Sequence, residues 1–423
     1  MVRRFVRVGI SAPTVKRVFM ATGAESLRVL LVGGGIGGLT AAIALARRGA
    51  RPVVLEQADA FAEVGAGLQL APNATRQLFG LGLEREIREI GFMPEQVDIR
   101  DSADSRLLLT TPLGAAAERR WRAPYLQVHR ADLQAVLLNA AQALVEIRTD
   151  ARVQSVEQHA AGVSADLSSG EVEGDVLIGC DGVHSGVRSQ MFGQSPARFT
   201  GQVAWRGLVS ADRLRPGLIP PRAQVWTGNG RHFLHYLVRD GTLVNFVGVV
   251  DGQAWSQESW SEVGEHDRLA ADFIGWPEPV SALIAETKTC WRWAIHDRPP
   301  LTHWSLGRIA LLGDAAHPTV PFLAQGAGMA IEDACALARW LDGGDDPISA
   351  LASYGAERRP RTARVRNWAR RNGRLFHLLR PLRRAAFFAA RASAPGADGS
   401  AAHLDWLYGD AEPGNGATQQ SKN

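Results

Sequence analysis

The pattern of hydrophobic residues in the first half of the chain is typical of a parallel α/β sheet. An unbroken apolar run over 27–32 predicts a parallel strand that is buried on both faces. Glycines follow it, residues 39–48 carry the helical spacing of apolar positions, and 51–56 predicts a second strand. Later segments extend the pattern, with helices predicted over 73–81 and 131–144 and a buried strand over 171–179.

The second half of the chain has a different pattern. From about residue 202 to 293, apolar and polar residues alternate, as in 231–238 and 242–250, which predicts an antiparallel sheet. A polar, strand-like stretch at 97–111 is interpreted as an excursion from the first domain. The parallel pattern returns near the end, with a buried strand over 308–312, a helix over 328–341 and two basic helices over 353–371 and 374–391.

These elements predict an α/β fold in which two domains are interleaved. A glycine-motif domain is assigned to 27–96, 126–195 and 300–345, and an antiparallel sheet domain to 97–125 and 196–299. C-terminal helices close the fold over 346–410. Residues 1–26 and 411–423 are interpreted as a disordered extension and a disordered tail. The first segment is basic and poor in acids, as transit peptides are, but a start codon assigned too early, with Met20 as the true start, is the favoured interpretation.

Composition narrows the function classes for this chain of 423 residues. Its 47 Lys+Arg against 43 Asp+Glu form no basic stripe with interleaved aromatics, which argues against nucleic-acid binding. Cys180, Cys290 and Cys335 are widely spaced, which argues against a disulfide framework, a metal site and a dithiol reductase, and favours a reducing, cytoplasmic compartment. No stretch reaches the roughly 18 apolar residues of a membrane-spanning helix, so no membrane partner is expected.

The first strand and helix enclose a dinucleotide-binding motif. Gly33, Gly35 and Gly38 have the spacing that permits a tight turn and close approach of backbone N–H groups to a pyrophosphate. The helix N-terminus adds partial positive charge there. Glu56, at the end of the second strand, is placed to accept a hydrogen bond from a ribose hydroxyl. This motif alone leaves open whether the nucleotide is FAD or NAD.

Two further segments resemble known motifs. GDVLIGCDGVHSGVR (174–188) and GRIALLGDAAHPTVPFLAQGAGMAIEDA (307–334) are similar to the DG and GD motifs of the class A flavoprotein monooxygenases. This is the family of para-hydroxybenzoate hydroxylase, salicylate hydroxylase and 3-hydroxybenzoate 6-hydroxylase. The resemblance runs from about residue 27 to 407 and includes three motifs in the family's order. It implies FAD as cofactor, NAD(P)H as co-substrate and hydroxylation of an aromatic ring with O2.

The resemblance also implies where FAD binds. Asp314 would bind the ribityl chain, and the loop 321–328, including Gly326 and Ala327, would lie against the isoalloxazine ring. N–H groups at a helix start suit a reduced, anionic flavin. Arg130, in QVHRADL, is similar to the family's FAD-contacting arginine, although an ordinary arginine at a helix start is the alternative.

The DG motif is implied to serve both nucleotides. Asp181, Ser185 and Arg188 would bridge the FAD and NAD(P)H functions. The chain carries no second G-x-G-x-x-G motif. Its absence fits transient binding of NAD(P)H and disfavours enzymes with two dinucleotide domains, such as Baeyer–Villiger monooxygenases.

A strand of the antiparallel sheet carries the candidate substrate residues. The two-residue period places His232 and Tyr236 on one face of 231–238. Their spacing is similar to that in 3-hydroxybenzoate 6-hydroxylase and 6-hydroxynicotinate 3-monooxygenase, where both residues meet the substrate. A His–Tyr pair is chemically suitable, because attack on a phenolate is faster and a group must accept the phenol proton. The alternative is a His and a Tyr satisfied inside a sheet.

Other candidates lie on neighbouring segments. Gln325 resembles the glutamine beside flavin and substrate in the same subgroup, and its alternative is a loop residue bonding backbone. Gln69 and Phe322 stand where the 6-hydroxynicotinate enzyme has histidines, and both differences count against that substrate. Arg206 is a candidate for a substrate carboxylate, with a surface strand arginine as the alternative.

The resulting hypothesis is an FAD-dependent monooxygenase. It would hydroxylate a phenolic acid such as 3-hydroxybenzoate through a C4a-hydroperoxyflavin, with the protein supplying orientation and a dry pocket. Salicylate and a larger natural-product phenol are alternative substrates. A reductase or dehydrogenase that never activates oxygen, and a non-enzymatic flavin-binding regulator, are alternatives of other classes. The sequence leaves the oligomeric state open, a homodimer included.

Overall fold

A computed structural model of the protein describes residues 26–61, 66–193, 196–252, 262–344, 346–393 and 399–409. The segments interpreted as a disordered extension and tail, 1–26 and 411–423, lie outside these ranges apart from Ser26. Mixed α/β structure fills the described part of the chain, and the predicted fold class is confirmed.

The strands of the described residues, in chain order, are β1 Arg28–Val32, β2 Arg51–Leu55, β3 Gly67–Leu70, β4 Gln96–Asp101, β5 Leu107–Pro112, β6 Leu126–His129, β7 Glu146–Arg148, β8 Val153–Gln158, β9 Val163–Leu167, β10 Gly170–Gly174, β11 Val176–Gly179, β12 Arg198–Ser210, β13 Ala223–Gly228, β14 Arg231–Val238, β15 Leu243–Asp251, β16 Glu262–Val263, β17 Cys290–Asp297, β18 Ser305–Leu306 and β19 Ile309–Leu311. The helices are α1 Ile36–Ala46, α2 Pro72–Gly80, α3 Glu84–Ile90, α4 Gly114–Trp121, α5 Arg130–Gln142, α6 Gly186–Phe192, α7 His266–Asp272, α8 Glu278–Glu286, α9 Gly326–Asp342, α10 Pro347–His377, α11 Arg380–Ala392, α12 Gly399–Ala402 and α13 Asp405–Tyr408.

The first sheet has the strand order β18-β19-β11-β1-β2-β7, and β1 pairs in parallel with both β11 and β2. The apolar side chains of β1 are almost wholly buried, as the unbroken hydrophobic run predicts. Helix α1 packs against β2, α5 and α9. The strand predicted over 171–179 is wrong in one respect: it is divided at Asp175 into β10 and β11, because β10 pairs antiparallel with β9 in a separate sheet and β11 pairs in parallel with β1.

The second sheet has eight strands in the order β16-β17-β12-β15-β14-β13-β4-β5. Its pairs are antiparallel except β13–β4, which is parallel. The sequence predicted an antiparallel sheet throughout. Strands β4 and β5 form a hairpin from the excursion at 97–111, and the long connection from β5 to β13 imposes no hairpin geometry, so the pair can run in parallel.

The two faces of this sheet pack against different partners. Trp205, Phe233 and Phe246 cover one face and form a cluster with Phe273, next to α7. The opposite face packs against the loop that precedes α9, through a cluster that includes Phe322. His232 lies on this second face, because strand residues alternate between faces.

One long helix replaces part of the predicted helical pair at the C-terminus. Helix α10 runs unbroken through Pro360 and Gly373 to His377, whereas the sequence predicted a break at 372–373. Gly373 is needed for packing, since a Cβ there would come within 2.5 Å of the Phe322 ring. The break instead falls just before Arg380. None of the helices in the described ranges combines the length and the apolarity that crossing a membrane requires.

Candidate active site

The three motifs meet at one edge of the parallel sheet. Strands β1, β11 and β19 are neighbours, and the glycine turn, the DG motif and the GD motif follow them in turn. Backbone hydrogen bonds join the three segments, from Cys180 N to Val32 O and from Leu312 N to Gly179 O. The carboxyl edge of a parallel sheet is where nucleotides bind in such folds. The segments predicted to hold opposite ends of one dinucleotide therefore lie side by side.

The space around each glycine of the first motif explains differently why a side chain is absent there. Gly33 has a φ of +107°, in the left-handed region, and a Cβ there would lie 2.6 Å from Cys180 O. A Cβ on Gly38 would collide with Gly33 O. A Cβ on Gly35 would meet nothing within 4 Å, so this residue faces open space at the start of α1. Such an arrangement leaves room for a pyrophosphate beside the helix N-terminus.

Glu56 holds the glycine turn from the end of β2. Its Oε2 accepts a hydrogen bond from Gly34 N at 2.7 Å, and its Oε1 accepts one from Ala58 N at 2.9 Å. A carboxylate has about four lone-pair sites, so both oxygens keep the capacity to accept from a ribose hydroxyl. The half-buried position of Glu56 fits that role.

Asp314 lies on a short turn after β19 and combines two properties. Its side chain is exposed to solvent, yet desolvation by the surrounding protein raises the pKa of its carboxyl. A carboxyl that reaches solvent while protein atoms surround the rest of it fits the wall of a cleft. A polar cleft wall of this kind fits the hydroxyl groups of a ribityl chain.

The DG motif is hydrogen-bonded to the GD turn. Ser185 Oγ donates to Asp181 Oδ1 at 2.5 Å, and burial raises the pKa of Asp181 despite this bond. Buried Arg188 donates to Ala315 O at 3.2 Å, beside Asp314. These bonds give the motif a structural function at the cleft, whatever contact it makes with a nucleotide.

Two desolvated arginines, on α5 and β12, interact electrostatically with each other. Burial lowers the pKa of Arg130 at the start of α5. Burial, and then the charge of Arg130, lower the pKa of Arg206 on β12. Within the described ranges no carboxylate is hydrogen-bonded to either guanidinium, and Arg206 lies over the rings of Trp291 and Trp293, at 5.6 and 5.5 Å. Two desolvated cations close enough to affect each other's pKa fit an anionic ligand, and the motif residues together fit FAD.

A buried cluster of charged residues on α9 and α10 is hydrogen-bonded to the GD turn. Asp333 on α9 accepts hydrogen bonds from Gly313 N and Arg358 and is paired with His317, which stacks on Trp304. Burial opposes the ionised carboxyl, but His317 and Arg358 together hold the pKa of Asp333 below its ordinary value. The cluster therefore fixes the turn that carries Asp314.

The neighbouring Glu332 makes the cluster sensitive to acid. Burial works to raise its pKa, but Arg358 and Arg361 outweigh burial and hold the pKa at about 2. A lowered folded-state pKa contributes stability above the unfolded value of 4.5 that is lost as the pH falls towards 2. We expect Glu332→Gln to lower the free energy of unfolding by about 3 kcal/mol at neutral pH. It should also flatten the acid dependence of that free energy.

Urea unfolding of the FAD-loaded protein at neutral pH and at about pH 3 measures this effect. The matched control is Glu357→Gln, because Glu357 also pairs with an arginine but on an exposed surface. Equal stability of the two variants at neutral pH would contradict the assigned role of Glu332.

Gln325 lies at the start of α9 but points inward. It is buried, and its Oε1 accepts a hydrogen bond from Asn73 Nδ2 at 3.0 Å. Asn73 also donates to Glu332, so Gln325 is tied to the buried ionic cluster. Gly326 and Ala327 follow as the half-buried first turn of α9, whose N–H groups have no side-chain cap.

A cavity of about 940 Å³ adjoins this loop. It lies between β14, the loop 321–324 and α10, and its walls are mostly apolar. His232 and Gln69 border it, together with Phe322 and Tyr125, whose hydroxyl donates to Gln69 Oε1 at 2.9 Å. Tyr125 was not singled out from the sequence, because nothing in its local pattern marks it as more than the start of a strand.

His232 is a buried titratable residue that borders the cavity. Its ring contacts Phe322 and Phe376 edge-on, and its Nδ1 lies 2.7 Å from His377 Nε2. Burial, and then the charge of His377, hold the pKa of His232 well below its ordinary value. The imidazole is therefore neutral at physiological pH, and a neutral imidazole has a ring nitrogen whose lone pair accepts a hydrogen bond.

Tyr236 shares the sheet face with His232 but does not border the cavity. Strand β3 covers it, since a Cβ on Gly67 would lie 2.7 Å from both the Tyr236 ring and Asn245. Burial raises the pKa of its hydroxyl above the ordinary value. Arg206 likewise lies away from the cavity lining, nearer to Arg130.

Residues 26–369 match the FAD binding domain family. The chain belongs to this family. A 3-amino-4-hydroxybenzoate 2-monooxygenase of Streptomyces platensis is 40% identical over 353 residues, which cover 83% of this chain and 89% of that protein. A 3-hydroxybenzoate 6-hydroxylase of Aquipseudomonas alcaligenes is 38% identical over 345 residues, which cover 81% and 87%.

Solved structures agree with this assignment. HpxO of Klebsiella pneumoniae, crystallised with FAD and uric acid, has a TM-score of 0.80 at 28% identity, covering 90% of this chain and 97% of its own. A salicylate hydroxylase substrate complex has a TM-score of 0.75 at 25% identity, covering 91% and 95%. The protein is an FAD-dependent aromatic monooxygenase, as the resemblance of its three motifs implied.

Proposed function

We propose that this monooxygenase hydroxylates a monohydroxybenzoate of the 3-hydroxybenzoate type. The observation that carries the proposal is His232, a neutral imidazole that can accept a hydrogen bond, in a mostly apolar cavity beside the loop that precedes α9. The relatives act on 3-hydroxybenzoate and on 3-amino-4-hydroxybenzoate, both of which carry a ring hydroxyl and a carboxylate. A ring hydroxyl is the group that a neutral imidazole recognises and deprotonates.

The chain's own residues prepare the substrate. FAD held by the motif residues and reduced by NAD(P)H would supply the activation of O2, from which one oxygen atom would enter the ring and the other leave as water. His232 accepts the phenolic proton and thereby makes the ring electron-rich. Phe322 and Leu234 line the cavity and exclude water from the reacting atoms. The first turn of α9, at Gly326 and Ala327, has uncapped N–H groups that would stabilise negative charge on a reduced flavin.

We assign FAD contacts to Gly33, Gly35, Glu56, Arg130 and Asp314, with Gly38 and Asp181 shaping the turns that carry them. Gln325 and Tyr236 are proposed as positioning residues. Gln325 fixes the start of α9 through Asn73, and Tyr236 supports β3, which carries Gln69 to the cavity wall.

The sequence-based division into two interleaved domains remains part of this proposal, with the FAD unit formed by 27–96, 126–195 and 300–345. The three cysteines of the described chain are free thiols, which supports a reducing, cytoplasmic compartment. A homodimer is an open alternative that light scattering of the purified protein tests directly.

A larger phenol is the second candidate substrate. The cavity of about 940 Å³ lies near the upper end of the range of about 300–1,000 Å³ for small-molecule pockets, which exceeds what one benzene ring fills. Two exposed arginines, Arg371 and Arg391, line its outer part. A bicyclic phenol carboxylate would use this space, whereas a hydroxybenzoate would leave it to water.

A substrate screen tests both candidates. FAD-loaded protein is mixed with NADH or NADPH and each hydroxybenzoate isomer, 3-amino-4-hydroxybenzoate or a naphthol carboxylate, and flavin reduction is followed before product mass is measured. We expect 3-hydroxybenzoate to accelerate reduction and to gain one oxygen atom. Acceleration and oxygenation with the naphthol carboxylate alone would replace the first candidate by the second. Formation of H2O2 without any oxygenated product from all of these compounds would contradict both candidates.

A further inference from the structure

A line of three polar groups leads from the cavity to the protein surface. His232 Nδ1 lies 2.7 Å from His377 Nε2, and His377 Nδ1 lies 2.7 Å from Asp251 Oδ1. His232 borders the cavity, the His377 side chain is only 5% exposed, and the Asp251 side chain is 42% exposed. The three residues come from β14, the end of α10 and the end of β15, so the fold brings together positions far apart in the chain.

The hydrogen-bond roles along this line follow from the carboxylate at its outer end. An ionised Asp251 only accepts, so His377 donates to it from Nδ1, and in the neutral form of His377 the Nε2 atom carries a lone pair. His232 must then donate from Nδ1, which leaves its Nε2 as the acceptor. No described residue is hydrogen-bonded to His232 Nε2. The acceptor therefore remains available to a ligand in the cavity.

We propose that His377 and Asp251 conduct the proton of the substrate hydroxyl from His232 to solvent. This inference rests on the proposed function, because it requires a phenolic substrate against His232. The substrate O–H bond breaks and its proton binds His232 Nε2. The proton on His232 Nδ1 moves to His377 Nε2, and the proton on His377 Nδ1 leaves through Asp251 to water. One proton enters and one leaves, so the result is a bound phenolate with both imidazoles neutral.

The surroundings favour rapid passage of the proton. His377 is the last residue of α10, and positive charge at a helix C-terminus is stabilised by the helix dipole. Gly230 N donates to His377 O at 3.0 Å and fixes the end of the helix against the sheet. An imidazolium formed briefly at His377 therefore meets both Asp251 and the negative end of the helix.

The titratable groups of this line act on one another. Partial burial works to raise the pKa of Asp251, but hydrogen bonds from His377 and Gln202 outweigh it and the pKa lies below its ordinary value. Gln202, on β12, carries no charge. Besides His377, the aromatic rings in contact with His232 are those of Phe322 and Phe376, and both are apolar. His232 thus exchanges its proton through His377, since its other ring neighbours are apolar.

Ionisation of a bound phenol tests the proposal without turnover. The probe is a nitro-substituted 3-hydroxybenzoate, whose phenolate absorbs at longer wavelength than its phenol. FAD-loaded wild type, His377→Gln and Asp251→Asn are mixed with the probe over a range of pH in a stopped-flow instrument. We expect both variants to bind the probe and to ionise it about a hundredfold more slowly. We also expect ionisation to require a higher pH, and Asp251→Glu to restore part of the rate.

His303→Gln and Asp240→Asn are the matched controls, because both replace exposed residues of the same type away from this line. Wild-type ionisation rates and pH dependence in His377→Gln and Asp251→Asn, with the probe bound, would overturn the relay alone. Asp251 is half exposed, so Asp251→Asn keeps the test valid even where His377→Gln disturbs folding. Failure of the wild-type protein to bind any hydroxybenzoate would instead overturn the proposed substrate class, and the relay with it.

Discussion

Gly35→Val is expected to give a folded protein that purifies without FAD. A side chain at Gly35 meets no other part of the protein within 4 Å, so the fold itself accommodates the valine. Two methyl groups at this position would occupy the space in which a pyrophosphate approaches the N-terminus of α1. The flavin absorbance relative to the protein absorbance measures bound FAD, and urea unfolding of the apoproteins measures stability. We expect FAD content near zero and a change in unfolding free energy of about 1 kcal/mol.

Gly38→Ala is the matched variant in the same motif. A Cβ on Gly38 would collide with Gly33 O, so here the added methyl strains the fold itself. We expect Gly38→Ala to lower the unfolding free energy of the apoprotein by about 1–3 kcal/mol, more than Gly35→Val does. Retention of FAD at wild-type stoichiometry by Gly35→Val would contradict the placement of the pyrophosphate at this helix start.

His232→Phe is expected to slow hydroxylation about a hundredfold while FAD remains bound. Phenylalanine resembles imidazole in shape and has apolar neighbours in Phe322 and Phe376, but it cannot accept a proton. General-base contributions of this kind are about a hundredfold or more in rate. The rate of product formation with 3-hydroxybenzoate should fall by about that factor. NAD(P)H oxidation should continue and yield H2O2.

His235→Phe provides the control on the same strand. His235 lies on the opposite face of β14, where its Nε2 accepts a hydrogen bond from Trp226 Nε1 at 3.0 Å. Its replacement leaves a buried indole N–H without a partner and should cost about 1–3 kcal/mol of stability. Hydroxylation per folded molecule should stay near the wild-type value. Wild-type hydroxylation by His232→Phe would remove His232 from the role of proton acceptor.

The nucleotide-binding half of the site could be predicted from sequence because its determinants are local. Gly33, Gly35 and Gly38 act through the space around a single turn, and Glu56 through the end of the next strand. Those constraints are visible in 30 consecutive residues, 27–56, without knowledge of the rest of the fold. The late position of Asp314 needed the family resemblance, because no local pattern links a turn after β19 to the first glycine motif.

The substrate half depends on contacts that no local pattern encodes. His377 is 145 residues from His232 and 126 from Asp251, so their alignment follows only from the packing of α10 on the sheet. The period of β14 places Tyr236 on the correct face, yet β3 covers it and separates it from the cavity. Gln325 turns inward because Asn73, far earlier in the chain, offers it a buried donor.

Helix α10 shows how packing overrides a local signal. Pro360 and Gly373 both disfavour a helix interior, and the sequence predicted a break at 372–373. Arg358 and Arg361 of the same helix pair with buried Glu332, and Gly373 lets the helix approach the Phe322 ring. The continuous helix that results delivers His377 to His232.

Transfer of an oxygen atom from O2 to a hydroxybenzoate is the central claim, and isotope labelling measures it directly. FAD-loaded protein is supplied with NAD(P)H and 3-hydroxybenzoate under O2 enriched in the heavy isotope, and the product is analysed by mass spectrometry. We expect one heavy oxygen atom in each product molecule and one NAD(P)H oxidised per molecule hydroxylated. NAD(P)H oxidation in which the label appears only in H2O2, with the aromatic acid recovered unchanged, would contradict the claim.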